Sequence, residues 1–127
     1  MNIKQRITEL HLTEGSYVVV GSGILGALGI RESSDIDLVV TEDTYQSIKQ
    51  LGWKQGLRGE HIVFQWDVFD IGNDWYGEKA EDLLKKAQII DDVPYLSLDD
   101  VYEWKKMRGL EKDNRDLALI DEYRQTH

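Results

Sequence analysis

Asp35 and Asp37 stand one residue apart in Asp-Ile-Asp, ahead of the apolar run Leu38, Val39, Val40. In a strand alternate side chains share a face, so the two carboxylates project together while Ile36 and Leu38 point the other way. Two like charges on a covered face are costly unless a cation compensates them, and carboxylate oxygens are the hard donors that Mg²⁺ or Mn²⁺ prefers. The isolated pair also has a plainer reading, as two solvated acids at an exposed strand start. Upstream, Gly21-Ser22-Gly23 follows the apolar run Tyr17 to Val20 and opens a short helical stretch. A bend of that kind at a helix start turns backbone N–H groups toward a phosphate. Phosphate cradle and carboxylate pair together make the two halves of a nucleotide–metal site.

Gly21, Gly23 and Gly26 also spell G-x-G-x-x-G, the fingerprint of a dinucleotide-binding turn, and Glu42 lies at about the distance of a ribose-binding acid. That fold needs a helix of several turns after the glycines and a parallel second strand. Gly26 and Gly29 leave a short, weak helix instead, each interior glycine costing about 1 kcal/mol against alanine. NAD binding is therefore the lesser expectation.

The elements that must position these residues follow from periodicity and punctuation. A short amphipathic helix is expected from about Ile3 to Leu12, a strand at Tyr17–Val20, a two-turn helix from Ser22 to Leu28, and a second strand at Asp35–Val40. Thr41 opens a helix to about Leu51. A strong strand is expected from about His61 to Phe69, a helix from about Glu78 to Ala87, and a link ended by Pro94. Ser97 with Asp100 three residues on gives a capping box for a helix that closes at Gly109. A last helix runs from about Lys112 to Arg124, with Leu117, Ile120 and Tyr123 as its core stripe. The fold class expected is α/β, a small mixed β-sheet with flanking helices and a helical C-terminal end.

The chain has 127 residues, 41% hydrophobic and 31% charged, with one proline and no cysteine. That length suits one domain over residues 1–127. Without cysteine there is no disulfide, thiolate nucleophile or cysteine-bound zinc, and no signal-peptide core or membrane-spanning run is evident, so a cytoplasmic protein without a membrane partner is expected. The formal net charge of −9 disfavours a grip on long nucleic acid, whereas a nucleotide can still bind where backbone N–H groups and a divalent metal supply positive charge.

Gly21-Ser22, the gap of twelve residues and Asp35-Ile36-Asp37 resemble the signature of the polymerase beta-like nucleotidyltransferase superfamily, h-G-[G/S] followed by D-h-[D/E]-h. Arg31 and Ser34 resemble the R-x-x-S-D-h-D form of that loop. The similarity is closest to small members related to abortive-infection toxin nucleotidyltransferases and to minimal antibiotic nucleotidyltransferases. The resemblance implies a third carboxylate in an h-D-h setting on a later strand. Alternation along an unbroken strand puts Asp67 opposite Ile62, Phe64, Trp66 and Val68, so Asp67 is the candidate, and Asp70 reads as a strand-end or turn residue. Lys105, and Lys112 with Asp113, resemble a lysine and Lys-Asp pair of some relatives, while Leu110 departs from their arginine. Lys105 either faces the site or extends its ammonium to solvent. Asp113 and Asp116 read as charges in the first turn of the last helix.

The resemblance implies a nucleoside triphosphate held by Gly21, Ser22, Gly23, Arg31, Ser34 and Lys105, with Mg²⁺ (or Mn²⁺) bound by the catalytic carboxylates Asp35, Asp37 and Asp67. An unknown acceptor hydroxyl, on a small molecule, a protein or an RNA end, would attack the α-phosphate. The alternative is a non-catalytic nucleotide-binding or antitoxin-type module of a two-component system with a protein partner. His11, His61 and His127 show no paired metal spacing, and the four tryptophans read as core, with Trp75 and Tyr76 the exception beside the Gly72-Asn73 turn.

Overall fold

Three consecutive valines leave a strand no polar face to offer water, and Val18–Val20 are fully covered. They belong to β1 (Tyr17–Val20), near the middle of a seven-stranded sheet in the computed structural model, which describes residues Met1–His127. The chain runs through α1 (Ile3–Thr8), β1, α2 (Gly23–Ala27), β2 (Ile36–Val40), α3 (Glu42–Lys49), β3 (Lys54–Arg58), β4 (His61–Trp66), β5 (Phe69–Gly72), α4 (Ala80–Lys85), β6 (Gln88–Ile90), β7 (Val93–Tyr95), α5 (Leu98–Arg108) and α6 (Glu111–Thr126). The strand order is β3-β4-β5-β2-β1-β7-β6. Pairs β2·β5 and β1·β7 are parallel and the other four antiparallel, so the fold is α/β with a mixed sheet.

Cross-strand partners project to the same face, and two adjacent rows show what the sheet separates. Val19, Leu38, Ile71 and Phe64 form one row, all buried. Tyr45 of α3 packs on Phe64 with ring centroids 5.0 Å apart, and Gly23 of α2 lies against Val19. The next row, on the opposite face, is Val20, Asp37, Asp70, Gln65 and Lys54. The first row is wholly apolar, and the second carries the polar groups beside the buried Val20. A single cluster of 25 buried hydrophobic side chains supports both, and each fully covered Val, Leu or Ile contributes about 1.5–3 kcal/mol.

Several expectations change. β1 and β2 are antiparallel, which removes the dinucleotide reading, because a βαβ unit needs parallel strands. The strand expected from His61 to Phe69 is a hairpin: Trp66 pairs with Phe69, and Asp67 turns the chain at φ +53°, a region that aspartate enters more readily than most residues. Two short strands, β6 and β7, occupy the stretch read as a link, with Pro94 inside β7. Helix α5 keeps the expected signals: Ser97 Oγ accepts from the Asp100 N–H at 3.1 Å, and Gly109 ends the helix at φ +65°. On α6 the buried residues are Asp113, Asp116 and Ile120, while Leu117 and Tyr123 are only partly covered. No helix is long and apolar enough to cross a membrane.

Candidate functional site

β1 ends at Val20, which is paired with Asp37, so the Gly21 bend falls directly over that carboxylate. Gly21 sits at φ +64°, and a Cβ there would stand 2.9 Å from Asp37 Oδ2. Both the backbone conformation and the close approach require glycine. Ser22 precedes α2 without spending its hydroxyl on a capping bond. Gly23 and Gly26 have another cause than a ligand: a Cβ on the first would collide with Val19, and on the second with the Ser33 hydroxyl. Gly23 is buried and serves the packing of α2 on β1 rather than a phosphate.

Asp70 on β5 lies in register beside Asp37 on the parallel neighbour β2. Gln65 Nε2 donates to Asp70 Oδ1 at 2.7 Å, and Arg58 Nη2 donates to the Asp70 carbonyl at 3.0 Å while standing 3.6 Å from Asp37 Oδ1. Burial pushes the Asp37 carboxyl up to about 6, against the pull of Arg58, and the charges of Asp70 and Asp35 push the same way as burial. Burial likewise lowers Arg58, opposed by Asp37 and Asp70. Asp35 is exposed just before β2 and within electrostatic range of Asp37. Asp67 is not brought to this group. It sits exposed in the β4–β5 turn, ion-paired with Arg6 of α1. The residue that stands beside Asp37 is Asp70, and Arg58 and Gln65 complete the row without having been singled out from sequence. The available signal was the alternation on each side of Asp67-Val68, polar at Gln65 and again at Asp70, which an unbroken strand cannot accommodate.

A polar cleft of about 490 Å³ opens next to the bend, lined by Ser22 together with Arg31, Lys105, Arg108, Lys112 and Arg115. Its acids are Glu32, Asp113 and Asp116, so it carries more positive than negative groups in a chain of net charge −9. Beneath it lies an ion-pair lattice. Lys105, 2% exposed, stands 3.0 Å from Asp116 and 3.3 Å from Asp113. Arg31 grips Asp116 through Nε and Nη2 at 2.7 and 2.9 Å, and Arg108 grips Asp113 at 2.8 and 2.6 Å. Hydrogen bonds from Arg108, and from Lys105, hold Asp113 below the usual carboxylate range; for Asp116, burial is outweighed by Arg31 and Lys105. Lys105 is thus an internal strut, neither free nor solvated, and Asp113 and Asp116 are its partners rather than surface charges. Arg108 supplies the guanidinium at the corner where Leu110 has none.

Of the residues expected to hold a nucleotide, Ser22, Arg31 and Lys105 share this cleft, and Gly21 joins it to Asp37. Ser34 is exposed in the loop before β2 and does not line it. An aromatic wall stands nearby: the Trp75 and Trp104 rings meet at 5.0 Å, with Arg58 over Trp75 at 5.7 Å and Arg108 over Trp104 at 4.1 Å.

No three acidic or histidine side chains converge as a ready metal cage. What is present is an in-register pair of hard oxygen donors, Asp37 and Asp70, with Asp35 in range and a charge that Arg58 balances only in part. That donor set fits Mg²⁺ or Mn²⁺, which keep several waters and take one or two carboxylates. No family model, curated protein or solved structure matches the chain.

Proposed function

We infer that the chain is a metal-dependent nucleotidyltransferase-like protein, moving a nucleoside monophosphate from a nucleoside triphosphate to a hydroxyl acceptor. The observation that carries this reading is Asp37, pressed against the Gly21 bend and in register with Asp70, with the cationic cleft beginning at the bend's edge. Ser22, Lys112 and Arg115 face that cleft and supply a donor and two cations to a triphosphate. Arg31 and Lys105, held by Asp116 and Asp113, contribute charge from fixed positions. Asp37 and Asp70, with Asp35 near, are the residues that would hold Mg²⁺ or Mn²⁺, which supplies charge neutralisation for the phosphates. Asp37, raised to about 6 in the metal-free chain, is mainly ionised at neutral pH and so available to a cation, and the acceptor hydroxyl gives up its proton to water. The acceptor oxygen then bonds to the α-phosphorus, the bridging P–O bond breaks, and pyrophosphate leaves.

One observation favours a second reading. The Arg58 guanidinium stands 3.6 Å from the Asp37 carboxylate and bonds the Asp70 carbonyl, and no three-acid cage is formed. A non-catalytic nucleotide-binding or antitoxin-type module, working with a protein partner, would have this form. Incubation with each α-phosphate-labelled nucleoside triphosphate, with Mg²⁺ or Mn²⁺, separates the two. Label on the protein, an RNA or a small acceptor, lost in Asp37→Asn and Asp70→Asn, supports the enzyme. Metal-dependent nucleotide binding without transfer supports the module, and neither result is compatible with an inert chain.

A further inference from the structure

Arg58 is the last residue of the edge strand β3, and its side chain crosses the sheet to reach the row of Asp37 and Asp70. Gly72 leaves the path open, since a Cβ there would stand 3.2 Å from Arg58 Nη1 and 3.1 Å from Val63 Cγ1. At its far end the guanidinium makes one hydrogen bond, to the Asp70 carbonyl, and none to the Asp37 carboxylate 3.6 Å away. Nη1 is buried without a partner. The other two guanidinium–acid contacts beside the site are built differently: Arg31 and Arg108 each hold a carboxylate with two hydrogen bonds of 2.6–2.9 Å. A permanent structural pair takes that forked form. Arg58 instead stands beside Asp37 without a fork and leaves donors unused. The guanidinium already lies over the Trp75 ring at 5.7 Å, at the mouth of a cavity of about 160 Å³ lined by Arg58, His61, Asp74, Trp75 and Tyr76, so it can turn away from the acids without giving up that face. The Asp74 carboxylate there is taken by Lys79 and His61.

We propose that Arg58 is the exchangeable counter-ion of the Asp37–Asp70 pair: it stands 3.6 Å from Asp37 in the metal-free protein, and a divalent cation binds the acids by turning the guanidinium away from them, further onto the Trp75 face. The inference rests on the metal-site reading given above. It makes the guanidinium and the metal competitors, so the affinity measured for metal is reduced by the fraction of time Arg58 is seated.

Mn²⁺ titration followed by the electron-paramagnetic signal of the free ion, together with thermal unfolding, tests this on the full chain. Arg58→Met should bind Mn²⁺ about tenfold more tightly, as expected if the guanidinium is seated about nine-tenths of the time. Its metal-free Tm should fall below that of the wild type, and saturating Mn²⁺ should raise the Tm by more. Arg58→Lys, which keeps the charge but not the planar fork, should lie between. Unchanged or weaker Mn²⁺ binding by folded Arg58→Met overturns the proposal; if that variant does not fold, equal affinity in Arg58→Lys and wild type does so. No Mn²⁺ binding by any of the three, or binding that survives Asp37→Asn, overturns the metal-site reading and the proposal with it.

Discussion

Gly21 is where backbone and chemistry constrain one residue together. Alanine there would hold a left-handed φ of +64° and drive its Cβ to 2.9 Å from Asp37 Oδ2. Gly21→Ala should therefore lose about 1–2 kcal/mol from the backbone alone, read from urea unfolding, and displace the carboxylate as well. Asp37 gives a pH signature. Its folded value near 6 lies above the ordinary 3.8, so the folded chain binds the proton more tightly than the unfolded one. The native state is therefore favoured at low pH, and stability declines as pH rises from about 4 to about 6. Asp37→Asn should abolish that decline and exceed the wild type by about 1 kcal/mol above pH 6, a figure reduced for screening because the side chain is 36% exposed. Denaturant midpoints across pH 4 to 8 measure it, and a pH-independent difference would count against the assignment. The Gly21 bend and the place of Asp37 beside it were legible in sequence because a bend and a period-two alternation are local, whereas Asp35, expected to open the strand, stands exposed just before β2. Asp70 was not, because the hairpin turns at Asp67-Val68 without a glycine to announce it. Arg58 was not, because its contacts join residues brought together only by four strands of sheet.

Among the elements, α5 and α6 are joined by charge as much as by apolar packing. Asp116→Asn would leave buried Lys105 with Asp113 alone and Arg31 without its forked partner, an expected loss of about 3–5 kcal/mol in chemical denaturation. Lys105→Met should be milder, because Asp113 keeps Arg108 and Asp116 keeps Arg31. The reverse order of the two losses would contradict the strut role. Asp113 and Asp116 have lowered values, so their stabilisation is present above the ordinary carboxylate range and lost as pH falls through the folded values. These acids also explain why the buried face of α6 was misread: Asp113 and Asp116 precede Ile120 on it, and a stripe sought among apolar residues lands on Leu117 and Tyr123 instead. Caps were read correctly where the signal is chemical, at Ser97 and Gly109. Strands β6 and β7 escaped because three residues are too few to show a period.

For the whole molecule, the sheet sets Asp37, with Asp70 in register beside it, against a glycine bend, and a cationic cleft opens next to that bend. The cleft is thus a locally positive place in a chain of net charge −9. The fold class could be read from the alternation of strands and helices, whereas the antiparallel β1–β2 pairing, which removes the dinucleotide reading, is a tertiary fact. Calorimetric titration of nucleoside triphosphates with and without Mg²⁺ is the most direct test, using wild type and a folded Asp37→Asn, Asp70→Asn double variant. Binding should require Mg²⁺ and weaken at least about tenfold in the variant. Binding indifferent to both Mg²⁺ and the two carboxylates, or no binding of any nucleoside triphosphate, would contradict the site described here.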